Sequence, residues 1–212
     1  MDKKIIDELV KKAFEKYNRE SDPGIDIKAL NTLNDFHSFI EKWYGNPEDV
    51  TGLEFSKDFL TGRHMDAIAA KGAAPARIEV FNDLMTRKEA KEKIAELFSL
   101  RRDHLNDKNI VNKISNVKFI EYVVNHPDRE GSRPILYTNR FLLSIFIEMM
   151  TSIANQEHLK ETAKLLGIAP RGVPFEKLQV QVRQIVEDSL IRQDLGNDLT
   201  KFTRAAIAFH IR

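Results

Sequence analysis

The chain has 212 residues, with 33 Lys and Arg against 32 Asp and Glu, and it contains no cysteine. This length can build a substantial core, and a hydrophobic fraction of 42% excludes an intrinsically disordered chain. The lack of cysteine excludes disulfides, cysteine-based zinc sites and thiol catalysis. No apolar stretch approaches the roughly 18 residues of a membrane span, and the first residues lack the apolar segment of a secretory signal. We therefore expect a cytoplasmic protein that does not engage a membrane.

The amino-terminal part of the chain predicts two amphipathic helices joined by a turn. Residues 1–60 are acidic, with 9 basic and 13 acidic side chains. Apolar residues recur at helical spacing over residues 5–17 and again over residues 27–44. Proline and glycine predict the turn between them, over residues 19–24. Residues 1–24 could therefore act as an N-terminal arm that packs on a neighbouring molecule.

The middle of the chain continues the helical pattern. We expect two short helices between Gly52 and Gly72. Thr86 and Glu89 have the spacing of a capping box, which predicts a helix that runs to about residue 104. Residues 117–124 are rich in β-branched and aromatic side chains, which suit a short strand. No hairpin partner is visible for such a strand, so the pattern favours a helix there.

Residues 126–134 form the clearest loop, with two prolines and one glycine. If the molecule has two lobes, their boundary would fall in this loop. Thr138 then predicts the start of a helix over Asn139 to Asn155, within which residues 141–150 are apolar on nearly every side. Such a helix is typical of a buried core or of a seam between subunits.

The remaining sequence predicts three more helices, separated at Gly167, Pro174 and Gly196. Taken together, the pattern predicts a single all-α domain over residues 1–212. We expect a compact bundle of about nine or ten helices, with little or no β-structure.

Motifs of conventional enzymes are missing from the sequence. It contains no nucleophile elbow, no phosphate-binding P-loop and no dinucleotide-binding glycine pattern. His158 and Glu161 share one helical face but would supply only two metal ligands, and a stable site needs three or four. We therefore expect no metal site and no cofactor.

Basic residues dominate the stretch from residue 101 to residue 140, where His104, Tyr122, His126 and Tyr137 lie among them. Cations that converge on a groove can neutralise phosphates, and planar side chains nearby can stack on bases. The arginines can also grip a phosphate with two parallel hydrogen bonds. We assign nucleic-acid contact to Arg101, Arg102, Lys108, Arg129, Arg133 and Arg140.

Arg204 and His210 carry an alternative interpretation. Arg followed closely by His on a terminal helix of a small α-bundle resembles the active-site motif of HEPN ribonucleases. That resemblance implies metal-independent RNA cleavage, with His210 acting on the 2′-hydroxyl or the leaving group and Arg204 steadying the phosphate. On a straight helix, however, six residues put the two side chains about 240° apart.

The leading hypothesis is a non-enzymatic helical protein that binds the phosphate backbone of nucleic acid, with RNA as one candidate, and self-associates as a homo-oligomer. Helical nucleocapsid or packaging proteins and accessory subunits of nucleoprotein complexes illustrate the class by architecture alone. The second alternative to this hypothesis is a protein adaptor or regulatory subunit without affinity for nucleic acid.

Overall fold

The computed structural model describes residues 2–21, 23–51, 76–127 and 131–211. Within these residues all regular secondary structure is helical, which confirms the predicted all-α fold class. The two short helices predicted between Gly52 and Gly72 lie outside the described residues. None of the described helices is both long and apolar enough to cross a membrane.

The described part of the chain forms a succession of short and medium helices. The four longest of these helices, of 17 to 20 residues, are α1, α2, α4 and α9. The α-helices are α1 Lys3–Glu20, α2 Pro23–Lys42, α3 Ala76–Met85, α4 Lys88–His104, α5 Ile110–Val117, α6 Phe119–Asn125, α7 Ile135–Ile145, α8 Gln156–Leu165, α9 Phe175–Arg192 and α10 Lys201–Ile207. Short 3₁₀ turns occupy Pro47–Thr51 and Ala208–His210.

Helix α1 packs against its own chain. Asp2 caps it by accepting a hydrogen bond from the Lys4 amide at 3.0 Å. Its apolar stripe buries Val10, Ala13 and Tyr17 against α9, α10 and the last 3₁₀ turn. In this structure α1 is thus an element of the bundle, and its solvent side is mostly polar, with Ile5 exposed near its start.

The capping box predicted at Thr86 is wrong. Helix α4 begins at Lys88, and the backbone of Arg87 occupies the cap position without a side-chain cap. The Thr86 hydroxyl instead donates to the Asp83 carbonyl at 2.7 Å, because α3 extends to Met85 and Thr86 lies in the turn that ends it. The hydroxyl and the amide of Thr86 both donate to this carbonyl in the last turn of α3, so the hydroxyl does not cap α4.

Residues 117–124 are helical, as the sequence favours, except for Lys118. Lys118 divides this stretch between α5 and α6 by adopting a left-handed conformation with φ of 56°. Few residues other than glycine take this conformation. The direction of the chain changes there, and one side of the junction borders a cavity considered below.

The predicted helix from Asn139 to Asn155 is placed wrongly at both ends. Helix α7 starts at Ile135, so Thr138 lies inside it, and its hydroxyl and amide both donate to the Pro134 carbonyl at 3.0 Å. The helix stops at Ile145, and a non-helical segment over residues 146–155 crosses the interior. The apolar run is buried within the chain, as a core interpretation predicts.

Side chains from neighbouring helices satisfy the backbone of this buried segment. Gln179 accepts from the Thr151 amide at 3.0 Å and donates to the Ile153 carbonyl at 2.6 Å. Asn139 donates to the Ala154 carbonyl at 2.8 Å, and the Ser152 amide donates to the Ala205 carbonyl at 2.9 Å. Buried backbone groups need such partners, and here α7, α9 and α10 provide them.

Candidate functional site

Two arginines of the predicted nucleic-acid groove lie inside the bundle. Arg101 is 6% exposed and Arg140 is 4% exposed. Arg101 donates from both terminal nitrogens to Glu148, each at 2.9 Å, and also to the Ile145 carbonyl. Arg140 lies over the ring of Tyr137, with its guanidinium carbon 5.7 Å from the ring centre. Neither side chain is at the surface, where a phosphate backbone would pass.

Arg102 is at the surface but is held by its own neighbours. It donates to both carboxylate oxygens of Asp103, at 2.8 and 2.7 Å, and to the Trp43 carbonyl at 3.0 Å. The guanidinium carbon also lies over the Trp43 ring, 5.9 Å from its centre. This arginine closes the contact between α4 and the end of α2.

Lys108 and Arg133 are exposed, whereas Arg129 lies outside the described residues. Among the five predicted contact residues that the structure describes, only these two are exposed and form no ion pair with another described residue. The basic stretch along the sequence does not become one basic surface, because helix packing turns Arg101 and Arg140 inward.

A network of charged groups surrounds Glu148, the residue that binds Arg101. Lys201 Nζ lies 3.4 Å from Glu148 Oε1 and 2.8 Å from His37 Nδ1. Burial alone would raise the pKa of Glu148, but the hydrogen bonds and the charge of Arg101 lower it to about 2. The carboxylate is thus ionised at neutral pH, and it joins α4, α10 and the turn that follows α7.

His37 belongs to the same network as a neutral imidazole. Its Nε2 lies 2.8 Å from the Ser144 carbonyl and can only donate to that oxygen, so Nδ1 accepts from Lys201. Burial and the nearby Arg101 charge lower the pKa of His37 to about 4. Each side chain of the network binds another member or a backbone carbonyl, so the network has a structural role.

A different group of cations converges at the surface between α1 and the end of the chain. We name this cavity of about 340 Å³ the α1 groove; its lining residues are Leu9, Lys12, Glu15, Lys16, Arg19, His210 and Ile211. The four α1 residues Leu9, Lys12, Lys16 and Arg19 are spaced by three and four positions, so they share one helical face. Glu15 is the single carboxylate among the lining residues.

His210 forms the wall of the α1 groove opposite α1. Its ring meets the Tyr17 ring edge-on at 5.7 Å, and its Nδ1 lies 3.5 Å from Glu20 Oε2. Burial lowers the pKa of His210; the Glu20 charge opposes this effect and the Lys16 charge adds to it. An anion in the groove would add negative charge beside the imidazole and favour its protonated form.

Arg204, the other half of the motif that resembles HEPN ribonucleases, faces a separate set of partners. It donates to Glu187 at 2.6 Å and to the Gly196 and Leu199 carbonyls at 2.6 and 3.3 Å. It does not line the α1 groove. The contacts of the two residues therefore do not bring them to one site.

No cluster of three or more metal-binding side chains occurs in the described ranges. His158, one of the two ligand candidates on α8, is buried and lies edge-on to the Phe209 ring at 4.8 Å. Its position is that of a core residue.

The α1 groove was not predicted from the sequence, because residues 1–60 are acidic as a whole. The signal was nevertheless present in the spacing of Lys12, Lys16 and Arg19 along one face. What the spacing could not provide is His210, which reaches this face only through tertiary packing.

Comparison with models of known protein families, with curated proteins and with solved structures found no match for this chain.

Proposed function

We propose that the protein is a non-enzymatic helical protein that binds the phosphate backbone of nucleic acid in the α1 groove and self-associates. The observation that carries this proposal is the convergence of Lys12, Lys16, Arg19 and His210 around one surface cavity. Four groups that are or can become cationic line the cavity with one carboxylate, Glu15, while Glu8 and Glu20 contact Lys12 and His210 from outside the lining. This arrangement favours an anionic ligand.

The length of the basic face suits a chain of phosphates better than a single one. Lys12 and Arg19 are seven residues apart, which is about 10 Å along the axis of a helix. One strand of a duplex carries about three phosphates over that distance. Lysines attract phosphate as point charges, and Arg19 can add a bidentate contact. The ligand would be held by its backbone, with little dependence on base sequence.

The ion pairs of the groove are weak competitors for the ligand. Lys12 pairs with Glu8 at 2.7 Å, but both side chains are about two-thirds exposed. Exposed pairs of this kind contribute little to stability, so a phosphate can replace the carboxylate at small cost.

The test is a salt titration of binding to a fluorescently labelled single-stranded RNA, followed by anisotropy. We expect the variant Lys12→Gln/Lys16→Gln/Arg19→Gln to weaken binding and to reduce the slope of log affinity against log salt by about 2. This estimate takes about 0.7 for each of three lost contacts. The control is Lys108→Gln/Arg133→Gln, which removes two exposed residues among those that the sequence assigns to nucleic-acid contact.

Each variant has an outcome that decides between the surfaces. Unchanged affinity in the triple variant, or a loss confined to the Lys108 and Arg133 control, would contradict binding in the α1 groove. Cleavage of the RNA in the presence of EDTA that disappears in His210→Ala would contradict a non-enzymatic function and support the ribonuclease alternative.

A further inference from the structure

A second cavity, distinct from the α1 groove, lies where the junction of α5 and α6 meets α7 and the start of α9. Its volume is about 320 Å³, near the lower end of the range for small-molecule sites. Apolar atoms make up part of its lining, from Ile120, Pro174 and Phe175. Ser115, Asn139, Gln156 and Glu176 add polar groups to these walls.

Asn139 lines this cavity and carries an unused acceptor. The residue is 2% exposed, and its amide nitrogen donates to the Ala154 carbonyl at 2.8 Å, which settles the orientation of the amide. Its Oδ1 is buried and has no hydrogen-bond partner among the described residues. The same holds for Ser115 Oγ. Buried polar atoms without partners are rare in folded proteins, and a bound ligand is one explanation for them.

Glu176 provides a second acceptor in the same wall. It is 6% exposed and lies in the first turn of α9. Burial raises the pKa of Glu176, while the adjacent Lys177 opposes that shift. N–H donors from a ligand would stabilise the ionised carboxylate. At the rim, Lys118 and Glu121 pair with each other at 3.5 Å, so the entrance carries no net charge from this pair.

We propose that this cavity binds a small planar molecule of the amidine or amino-heterocycle class, whose N–H edge donates to Asn139 and Glu176 while its ring packs on Phe175 and Ile120. Acceptors on the protein select donors on the ligand, and Phe175 offers an aromatic surface for a flat ring. The ligand would be recognised by its edge, since the apolar walls alone do not distinguish donors from acceptors.

Three probes of one shape test this selectivity on the full chain: benzamidine, benzamide and benzoate. They present donors only, a donor with an acceptor, and acceptors only. Binding is measured by titration of amide shifts in ¹H–¹⁵N NMR spectra. We expect affinity to fall in that order, with shifts centred on residues 115–121, 139 and 174–176. Equal binding of benzoate and benzamidine, or no binding of any probe, would overturn the proposal.

Glu176→Gln keeps the size of the side chain and removes the carboxylate. We expect it to weaken benzamidine binding by at least about tenfold, the effect of one charge-assisted hydrogen bond. Glu96→Gln, at an exposed position of α4, is the matched control and should bind benzamidine like the parent chain. If Glu176→Gln fails to fold, Ile120→Trp fills the cavity and should abolish binding. Benzamidine binding that persists in a folded Glu176→Gln or in Ile120→Trp contradicts the assignment.

Discussion

His37 illustrates how a single titratable side chain is built into the interior. Its imidazole donates to the Ser144 carbonyl, accepts from Lys201 and lies 3.5 Å from Glu148. The neutral ring satisfies both neighbours. A protonated ring would lose the acceptor that Lys201 uses and would place two cations in contact.

This arrangement predicts a loss of stability at mildly acidic pH. The folded pKa of about 4 lies below the ordinary value of 6.5, so the unfolded chain binds the proton more readily. The contribution of His37 to the free energy of unfolding is therefore fully present above pH 6.5. It declines by roughly 3 kcal/mol as the pH falls to 4. Urea unfolding across this pH range measures the slope. His37→Gln should flatten it, and His104→Gln, at an exposed position, should leave it unchanged.

A slope that His37→Gln leaves intact would assign the pH dependence to other groups. His210 titrates in the same direction and would be the first of these. Glu148 has a lowered pKa of about 2, so its protonation reduces the free energy of unfolding further below pH 4.5, after the loss from His37.

At the scale of elements, the sequence predicts the helices well where an apolar stripe and a stop signal coincide. Gly167 does end α8, with φ of 81° and a hydrogen bond from the Ile168 amide to the Ala163 carbonyl. Pro174 does precede α9. Both signals act through local backbone geometry, which can be recognised without knowledge of the fold.

The predictions fail where long-range partners decide the local structure. An uninterrupted apolar run from residue 141 to residue 150 suits a helix, but α7 ends at Ile145 because Arg101, Gln179 and Asn139 supply hydrogen bonds to the chain that follows. The burial of Arg101 was missed for the same reason. Its partner Glu148 is 47 positions away in the sequence.

Gln179 is the side chain on which the buried segment depends most. Replacement by leucine leaves the Thr151 amide and hydroxyl and the Ile153 carbonyl without their partner. We expect Gln179→Leu to reduce the free energy of unfolding by about 3 kcal/mol, the cost of several buried unpaired groups. Gln184→Leu lies on the exposed side of the same helix and should change it by less than about 0.5 kcal/mol. Equal effects of the two variants in urea titrations would contradict this role.

At the scale of the whole molecule, the core encloses the apolar run that could have formed a seam between subunits. The exposed apolar side chains in the described part of the chain include Ile5, Ile27 and Ile191, each more than half exposed. Self-association, the second part of the proposed function, would use such positions or charged surfaces in place of residues 141–147.

Light scattering coupled to size exclusion tests this association together with nucleic-acid binding. At low salt we expect a species of several subunits with a raised 260/280 nm absorbance ratio. At high salt the ratio should fall to that of protein, since phosphate contacts weaken steeply with salt. Treatment with nuclease separates the two properties. A monomer with a protein-like ratio at every salt concentration would contradict both and favour the adaptor alternative.

The non-helical segment over residues 146–155 imposes an order on biosynthesis. Two of its hydrogen-bond partners, Gln179 and Ala205, are synthesised 28 and 53 residues after the Thr151 and Ser152 amides that they bind. Until then its amides and carbonyls remain hydrated, and its apolar side chains have no closed core to enter. The nascent chain must therefore carry an exposed hydrophobic stretch until Gln179 and Ala205 have been synthesised. During that interval the chain is most open to chaperones and to aggregation.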